Sequence, residues 1–288
     1  MTIGLFPGQG VPVRTVLAAL PADHHLVRTA SEILCYNLHK KVEQVARRER
    51  SIMPTSLGQP AIFTASLVSF YDAGVDCDVL LGHSLGEYPA LVAGEAMSFE
   101  QALCVVQVRG DAMQKVAARL SGGMVAVLDL SYDDVEAIAL EAGVWIANDN
   151  APHQIVLAGD DGPLVEAASL ARARGGRAVR LDVIGPFHTE QLEPAAPLLR
   201  DALDHISIRS PKLPVISNVS AEAYRAPGEI RKLLVEQLTS RVRFREAVES
   251  LWRDGVRETH DFGPGRVVAG LAARTLDAMS PSTETAVA

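Results

Sequence analysis

Gly82-His83-Ser84-Leu85-Gly86 has the G-x-S-x-G spacing of a nucleophile elbow, in which a serine sits on a tight turn between a buried strand and a helix. The flanks agree. Val79-Leu80-Leu81 reads as the end of an apolar strand, and Glu87 to Ala93 reads as the first turns of a helix, with Pro89 in an early position that tolerates proline. The glycines allow close packing around a strained backbone, which lifts the serine hydroxyl into a cleft. The helix N-terminus behind it offers N–H groups and partial positive charge to a developing oxyanion. The chemistry this suits is nucleophilic attack by Ser84 on an acyl carbon.

A serine hydroxyl attacks well only when a base removes its proton. Of the eight histidines, His24, His25 and His39 lie in polar segments, His205 in an ordinary amphipathic one and His153 in a loop. Side chains next to each other on a tight turn diverge, so His83 reads as packing or support. Two candidates are left. His188 follows Gly185-Pro186-Phe187 at an expected domain junction, where a loop can face a cleft. His260 ends a late strand, in the serine-then-histidine order of α/β-hydrolases. Position favours His188 and leaves His260 open. Arg109 is unexpected in a helix that otherwise reads apolar from Ala102 to Val108; by itself it could equally reach the surface or pair with an acid.

The elements that must hold these residues alternate. A short strand at Ile3 to Phe6 runs into the loop Pro7-Gly8-Gln9-Gly10. A helical stretch follows from about Ala30 to Arg50, then an apolar helix over Ala61 to Tyr71 begun by Pro60, the elbow, and a helix from Phe99 to Leu120. Strand–helix alternation predicts a parallel sheet covered on both faces. Ser121-Gly122-Gly123 breaks the pattern. Strand, helix, strand, strand, helix, strand then follow between Met124 and Val183, the β-α-β-β-α-β order of a ferredoxin-like unit. The predicted fold is therefore α/β: a hydrolase-like large domain over 1–120 and 186–288, with a small ferredoxin-like domain inserted over 121–185. Helices near Pro194 to Leu203, Glu229 to Leu238 and Phe244 to Arg253, strands at Val215 to Ser217 and Glu258 to Asp261, the turn Gly263-Pro264-Gly265 and a last helix complete the large domain. The tail after Met279 is expected to fray.

The chain has 288 residues, 48% hydrophobic and 22% charged, with a formal net charge of −8. That composition fits a globular protein with a sizeable core and excludes a concentrated basic face for nucleic acid. No secretory signal, membrane span or metal site is expected. Cys35, Cys77 and Cys104 are widely spaced in apolar surroundings and read as buried small hydrophobes in a reducing, cytoplasmic setting.

Phe6-Pro7-Gly8-Gln9-Gly10, the Gly82 to Tyr88 elbow, Val108-Arg109-Gly110, Phe187-His188 and Phe262-Gly263-Pro264-Gly265 occur in an order that resembles the malonyl-CoA:acyl-carrier-protein transacylases, relatives of the acyltransferase domains of polyketide and fatty-acid synthases. The resemblance runs from about Ile3 to Met279 and implies the same two-domain fold. It implies Ser84 as nucleophile and His188 as its base, oriented by a backbone carbonyl instead of an acid. It implies the N–H groups of Gln9 and Leu85 as oxyanion donors, and Arg109 as the grip on the free carboxylate of a malonyl group. Phe187 would crowd an α-methyl branch. Gln59 matches a glutamine near the family's site, and Arg243 stands where many simple transacylases carry glutamine and others arginine; if only the carbonyl at this position orients His188, the exchange is harmless. Val11-Pro12-Val13 replaces the commoner Ser-Gln, and the stretch from Ser66 to Leu81 looks shortened, which leaves room for a role in secondary metabolism. Asn148, Asn150 and Asn218 read as turn residues, with supporting donors as the alternative.

The implied reaction is a ping-pong transfer from malonyl-CoA to the phosphopantetheine thiol of an acyl carrier protein. No cofactor is bound, because the prosthetic arm belongs to the carrier. A thioesterase or editing hydrolase, and a polyketide-type acyltransferase for another acyl group, share the same site and stay as alternatives. The chain is expected to act as a monomer. An acidic carrier would need a local basic patch, with Arg172, Arg174, Arg177 and Arg180, or Arg47, Arg48 and Arg50, as candidates.

Overall fold

The computed structural model describes residues 1–48 and 53–280, so Arg50 and the end of the tail lie outside the described residues. The chain opens with β1 (Thr2–Phe6), α1 (Val13–Ala18), α2 (His25–Ile33), α3 (Leu38–Ala46) and α4 (Thr55–Ala73). Next come β2 (Val79–Gly82), α5 (Glu87–Ala93) and α6 (Phe99–Ala117), with one 3-10 turn over Ser84–Gly86 between β2 and α5. The middle of the chain holds β3 (Gly122–Leu128), α7 (Tyr132–Ala142), β4 (Trp145–Ala151), β5 (Gln154–Asp160), α8 (Asp161–Ala173) and β6 (Arg177–Arg180). The rest is α9 (Ala196–Asp204), β7 (Val215–Ile216), α10 (Pro227–Glu236), α11 (Phe244–Arg253), β8 (Glu258–Asp261) and α12 (Val267–Met279).

Among the described residues the strands make two sheets. In the first, β7, β2, β1 and β8 lie side by side and all run parallel. Alternating residues serve its two faces. Ile3, Leu5, Val79 and Leu81 pack with α11 and α12 residues such as Phe244, Leu251 and Leu271, whereas Phe6 and Leu80 join the core beneath α4, α5 and α6. Around β1 and β2 both faces are dry, which accounts for two strands that read as nearly continuous apolar runs, whereas the edge strand β8 is polar and partly exposed.

The second sheet has the order β4-β5-β3-β6 and is antiparallel throughout. Its connectivity is the β-α-β-β-α-β pattern. Val125, Val127, Ile155 and Leu157 face α7 and α8, while Met124, Ala126, Val156 and Ala158 turn toward the larger core. The far edge is not free: Asn148 bridges to Val242, and Asp149 N–H donates to the Val242 carbonyl at 2.8 Å. The small sheet thus overhangs the carboxyl ends of β1 and β2, where a parallel sheet presents its ligand site.

Three local expectations need correction. The helix expected from Ala30 to Arg50 is two helices, because Cys35 adopts a left-handed φ of 55° and Asn37 caps α3 by accepting the Lys40 N–H at 2.8 Å. Pro60 lies inside α4 instead of starting it. The carbonyl of Ser56, four residues earlier, is released by the missing proline N–H and accepts from Gln107 Nε2 at 3.3 Å, which offsets the loss. Cys35 and Cys104 are exposed, not buried, and Cys77 is half-buried. No described helix is long and apolar enough to cross a membrane.

Candidate active site

Ser84 stands at the carboxyl end of β2 with φ at 52°, a left-handed conformation that costs a non-glycine residue free energy. The two elbow glycines make the turn feasible. A Cβ on Gly82 would lie 1.9 Å from the Gly86 carbonyl carbon, and one on Gly86 would lie 2.2 Å from the Phe6 oxygen. The G-x-S-x-G spacing is therefore a steric requirement of this strand–turn–helix crossing.

Ser84 Oγ lies 2.8 Å from His188 Nε2. The other ring nitrogen, Nδ1, lies 2.8 Å from the backbone oxygen of Gln237, just past α10. A carbonyl oxygen can only accept, so Nδ1 carries the hydrogen and Nε2 faces the hydroxyl with its lone pair. Burial, with the Arg109 charge as the second cause, holds the imidazole far below its usual value, at about 3. At neutral pH it is an uncharged base.

Arg109 reaches the same spot from the middle of α6. It is 1% exposed. Its Nη2 donates to Ser84 Oγ at 3.2 Å and to Gln237 Oε1 at 2.9 Å, and its Nε has no hydrogen-bond partner. Among the described residues no acid lies within ion-pair distance of this guanidinium. Desolvation lowers its pKa. The Glu87 carboxyl acts on the guanidinium only through space, and the hydrogen bonds of Arg109 go to neutral groups, so an anionic ligand would offset the cost of burying the charge.

These groups open on a cavity of about 280 Å³. Ser84, Leu85, Gln9, Arg109 and His188 supply polar lining, and Met113, Met124, Val156, Leu181, Phe187 and Leu271 supply much of the apolar wall. The walls come from both sheets' surroundings, so the cavity lies between them. Neither the Leu85 nor the Gln9 backbone N–H donates to another described protein group. Two free amides beside a serine are what an oxyanion requires. The side chain of Gln9 is tied back, with Nε2 donating to Thr55 Oγ1 at 3.0 Å.

His260 is placed elsewhere: it pairs in β8 opposite Gly4, stacks on Phe262 at 4.5 Å and does not line the cavity. Gln59 is also not a lining residue. It is buried behind the site, where its Nε2 donates to Gln9 Oε1 at 3.3 Å. Arg243 is the clearest correction. Its guanidinium serves Glu246 and the carbonyls of Val219 and Ser220, and the carbonyl that orients His188 belongs to Gln237, six positions earlier. Arg243 instead touches the region through its backbone, donating to the Asn218 carbonyl at 3.0 Å.

Asn148 and Asn150 are not turn residues, whereas Asn218 does sit in the turn just after β7. Asn148 and Asn150 lie within β4 on the cavity wall, with Asn150 Oδ1 2.7 Å from His83 Nε2. Asn218 Oδ1 accepts the Ser84 N–H at 2.6 Å, and its Nδ2 donates to the Gly82 carbonyl at 2.7 Å. Sequence reasoning missed Gln237, and for Asn218 it preferred the turn over the supporting-donor alternative that these hydrogen bonds favour. The usable signal for Asn218 was its place just after β7, at the carboxyl end of a strand beside the elbow strand. The backbone role of Gln237 carried no signal in its residue type. Of the arginine run in the small unit, Arg174, Arg177 and Arg180 are each ion-paired, with Glu141, Asp129 and Asp161. Arg47 pairs with Glu43.

A family model described as the acyl transferase domain matches residues 5–287. The malonyl CoA-acyl carrier protein transacylase of Bacillus subtilis (strain 168) is 37% identical over 280 residues, covering 93% of this chain and 88% of that protein. Among solved structures, the malonyl CoA-acyl carrier protein transacylase of Coxiella burnetii superposes with a TM-score of 0.88 at 33% identity, over 95% of this chain and 90% of the other. A type II PKS acyl-carrier protein in complex with its malonyl-transacylase gives a TM-score of 0.86 at 32% identity, over 96% and 93%.

Proposed function

The chain belongs to the malonyl-CoA:acyl-carrier-protein transacylase family of acyl transferases, and on that premise we propose that it moves a malonyl group from CoA to the phosphopantetheine thiol of an acyl carrier protein through an ester on Ser84. The observation that carries this reading is the buried guanidinium of Arg109 beside the serine hydroxyl, in ion-pair contact with no carboxylate among the described residues. A planar guanidinium holds a carboxylate through two parallel hydrogen bonds, and malonyl carries one free carboxylate at its far end.

In the first half-reaction Ser84 Oγ attacks the thioester carbon while His188 Nε2 takes the hydroxyl proton. The N–H groups of Leu85 and Gln9 receive the oxyanion. Being backbone donors, they are in place before charge develops. The carbon–sulfur bond breaks, His188 returns the proton to the departing CoA sulfur, and a malonyl ester remains on Ser84. In the second half the carrier thiol gives its proton to His188 and attacks the ester carbon. The serine oxygen leaves and recovers that proton. The solved complex of a carrier protein with its malonyl-transacylase supports a carrier as acceptor. Incubation with malonyl-CoA and a phosphopantetheinylated carrier tests the reading by intact mass. Malonyl-carrier is expected; free malonate with an unchanged carrier would instead mean hydrolysis.

A further inference from the structure

Glu87 takes no part in the steps above, yet it is fully buried three residues after the nucleophile, at the start of α5. A carboxyl group is a costly filler for a core unless its oxygens are hydrogen-bonded. Both of its oxygens are used. Oε1 accepts the backbone N–H of Asn218, and Oε2 accepts the hydroxyl of Tyr224. Asn218 then spends its side chain on the elbow, accepting from Ser84 N–H and donating to the Gly82 carbonyl on the other side of His83. The contacts form one continuous chain, from Tyr224 through Glu87 and Asn218 to both flanks of the nucleophile turn. None of the three lines the cavity.

Two features of the turn need such support. Ser84 holds a left-handed backbone, and its own N–H is engaged by Asn218, which leaves the next amide, that of Leu85, for a substrate oxygen. Resting on the acyl-serine reading, we propose that Glu87 and Tyr224 are positioning residues: acting through Asn218, they hold the Ser84 turn so that Leu85 N–H points at the reacting carbonyl.

The test compares Tyr224→Phe, Glu87→Ala and Glu87→Gln with the wild type by single-turnover acylation from malonyl-CoA, with thermal melts to count folded protein. Tyr224→Phe and Glu87→Ala are expected to acylate about tenfold more slowly per folded molecule, with KM for malonyl-CoA changed less than about twofold. Glu87→Gln keeps an acceptor for the Asn218 N–H and is expected to recover most of the rate lost in Glu87→Ala. If Glu87→Ala does not fold, Tyr224→Phe, which deletes one oxygen, carries the comparison. Wild-type acylation rates in Tyr224→Phe, or a loss confined to KM, would overturn the proposal. Should the wild type itself take no acyl group from malonyl-CoA, the functional reading fails separately, and sulfonylation of Ser84 by phenylmethylsulfonyl fluoride, expected to slow in the same variants, still judges the brace.

Discussion

The backbone oxygen of Gln237 lies 2.8 Å from Nδ1 of His188, in the place where many serine enzymes put a carboxylate. A carbonyl fixes the tautomer without adding a charge that would pull the imidazole toward its protonated form. The side chain of the same residue accepts from Arg109 and donates to the Ser84 carbonyl at 3.0 Å. One residue therefore orients His188 through its backbone and holds Arg109 and Ser84 through its amide.

That division predicts an asymmetric result for Gln237→Ala. The carbonyl survives, so His188 stays oriented and the base still works. The Arg109 and Ser84 contacts are lost. Malonyl transfer is expected to fall about ten- to a hundredfold, well short of the loss in His188→Ala. Steady-state kinetics of the two variants side by side check this; equal losses would place the orienting role in the side chain.

Arg109→Ala removes the group expected to hold the distal carboxylate. Truncating one partner of a buried, hydrogen-bonded charge pair costs about 2–4 kcal/mol, a factor of about 30 to 1,000. Malonyl transfer should drop by that much, while acetyl transfer is spared or improved. Arg109→Lys should recover little, because an ammonium lacks the two-pronged geometry. Rates with malonyl-CoA and acetyl-CoA decide; parallel losses on both would remove the carboxylate role.

The pH dependence follows from the depressed base. With His188 held at about 3 by burial and then by Arg109, acylation should stay level as pH falls through 6.5. In Arg109→Ala, assayed with acetyl-CoA, the second cause is gone and the acid limb should move upward. Stability carries two opposed signals. For His188 the unfolded chain binds more protons between about 3 and 6.5, so its contribution is full above that window and is lost as pH falls. Glu87 is pushed up to about 7 by burial, so the folded chain binds more protons between 4.5 and about 7, and that contribution is lost as pH rises. Melts of Glu87→Gln across the same range should lack the second trend.

Phe187 lines the cavity directly before His188. Replacing it with serine opens room beside the α-carbon of a bound acyl group. Discrimination against a methyl branch is worth about 1–3 kcal/mol in a pocket, so Phe187→Ser should raise methylmalonyl transfer relative to malonyl by roughly ten- to a hundredfold. Competition between the two CoA esters, read on the carrier, measures the ratio.

What was legible in the sequence was whatever depends on residue type at short spacing. The elbow announces itself because two glycines and a serine must stand two apart for the strand and helix to cross. The second sheet was readable from its element order, since Ser121-Gly122-Gly123 breaks the earlier alternation and strand, helix, strand, strand, helix, strand follow. The break at Cys35 was hidden because no glycine or proline marks it; the left-handed turn there falls on an ordinary residue. Pro60 misled for the opposite reason, since its helix-breaking effect is offset by Gln107, 47 positions later in sequence. Gln237 could not be singled out by chemistry because the atom that acts is a carbonyl that every residue possesses. The choice of Arg243 came from the family resemblance, and the carbonyl that meets His188 belongs instead to the end of α10.

The central claim is that Ser84 carries the acyl group with His188 as its base. The most direct measurement is the mass of the peptide containing Ser84 after brief exposure to malonyl-CoA, in the wild type and in His188→Ala. The account predicts one malonyl group on Ser84 in the wild type and a large loss of its rate of formation in the variant. An unmodified serine, an adduct on another residue, or unchanged labelling without His188 would contradict it.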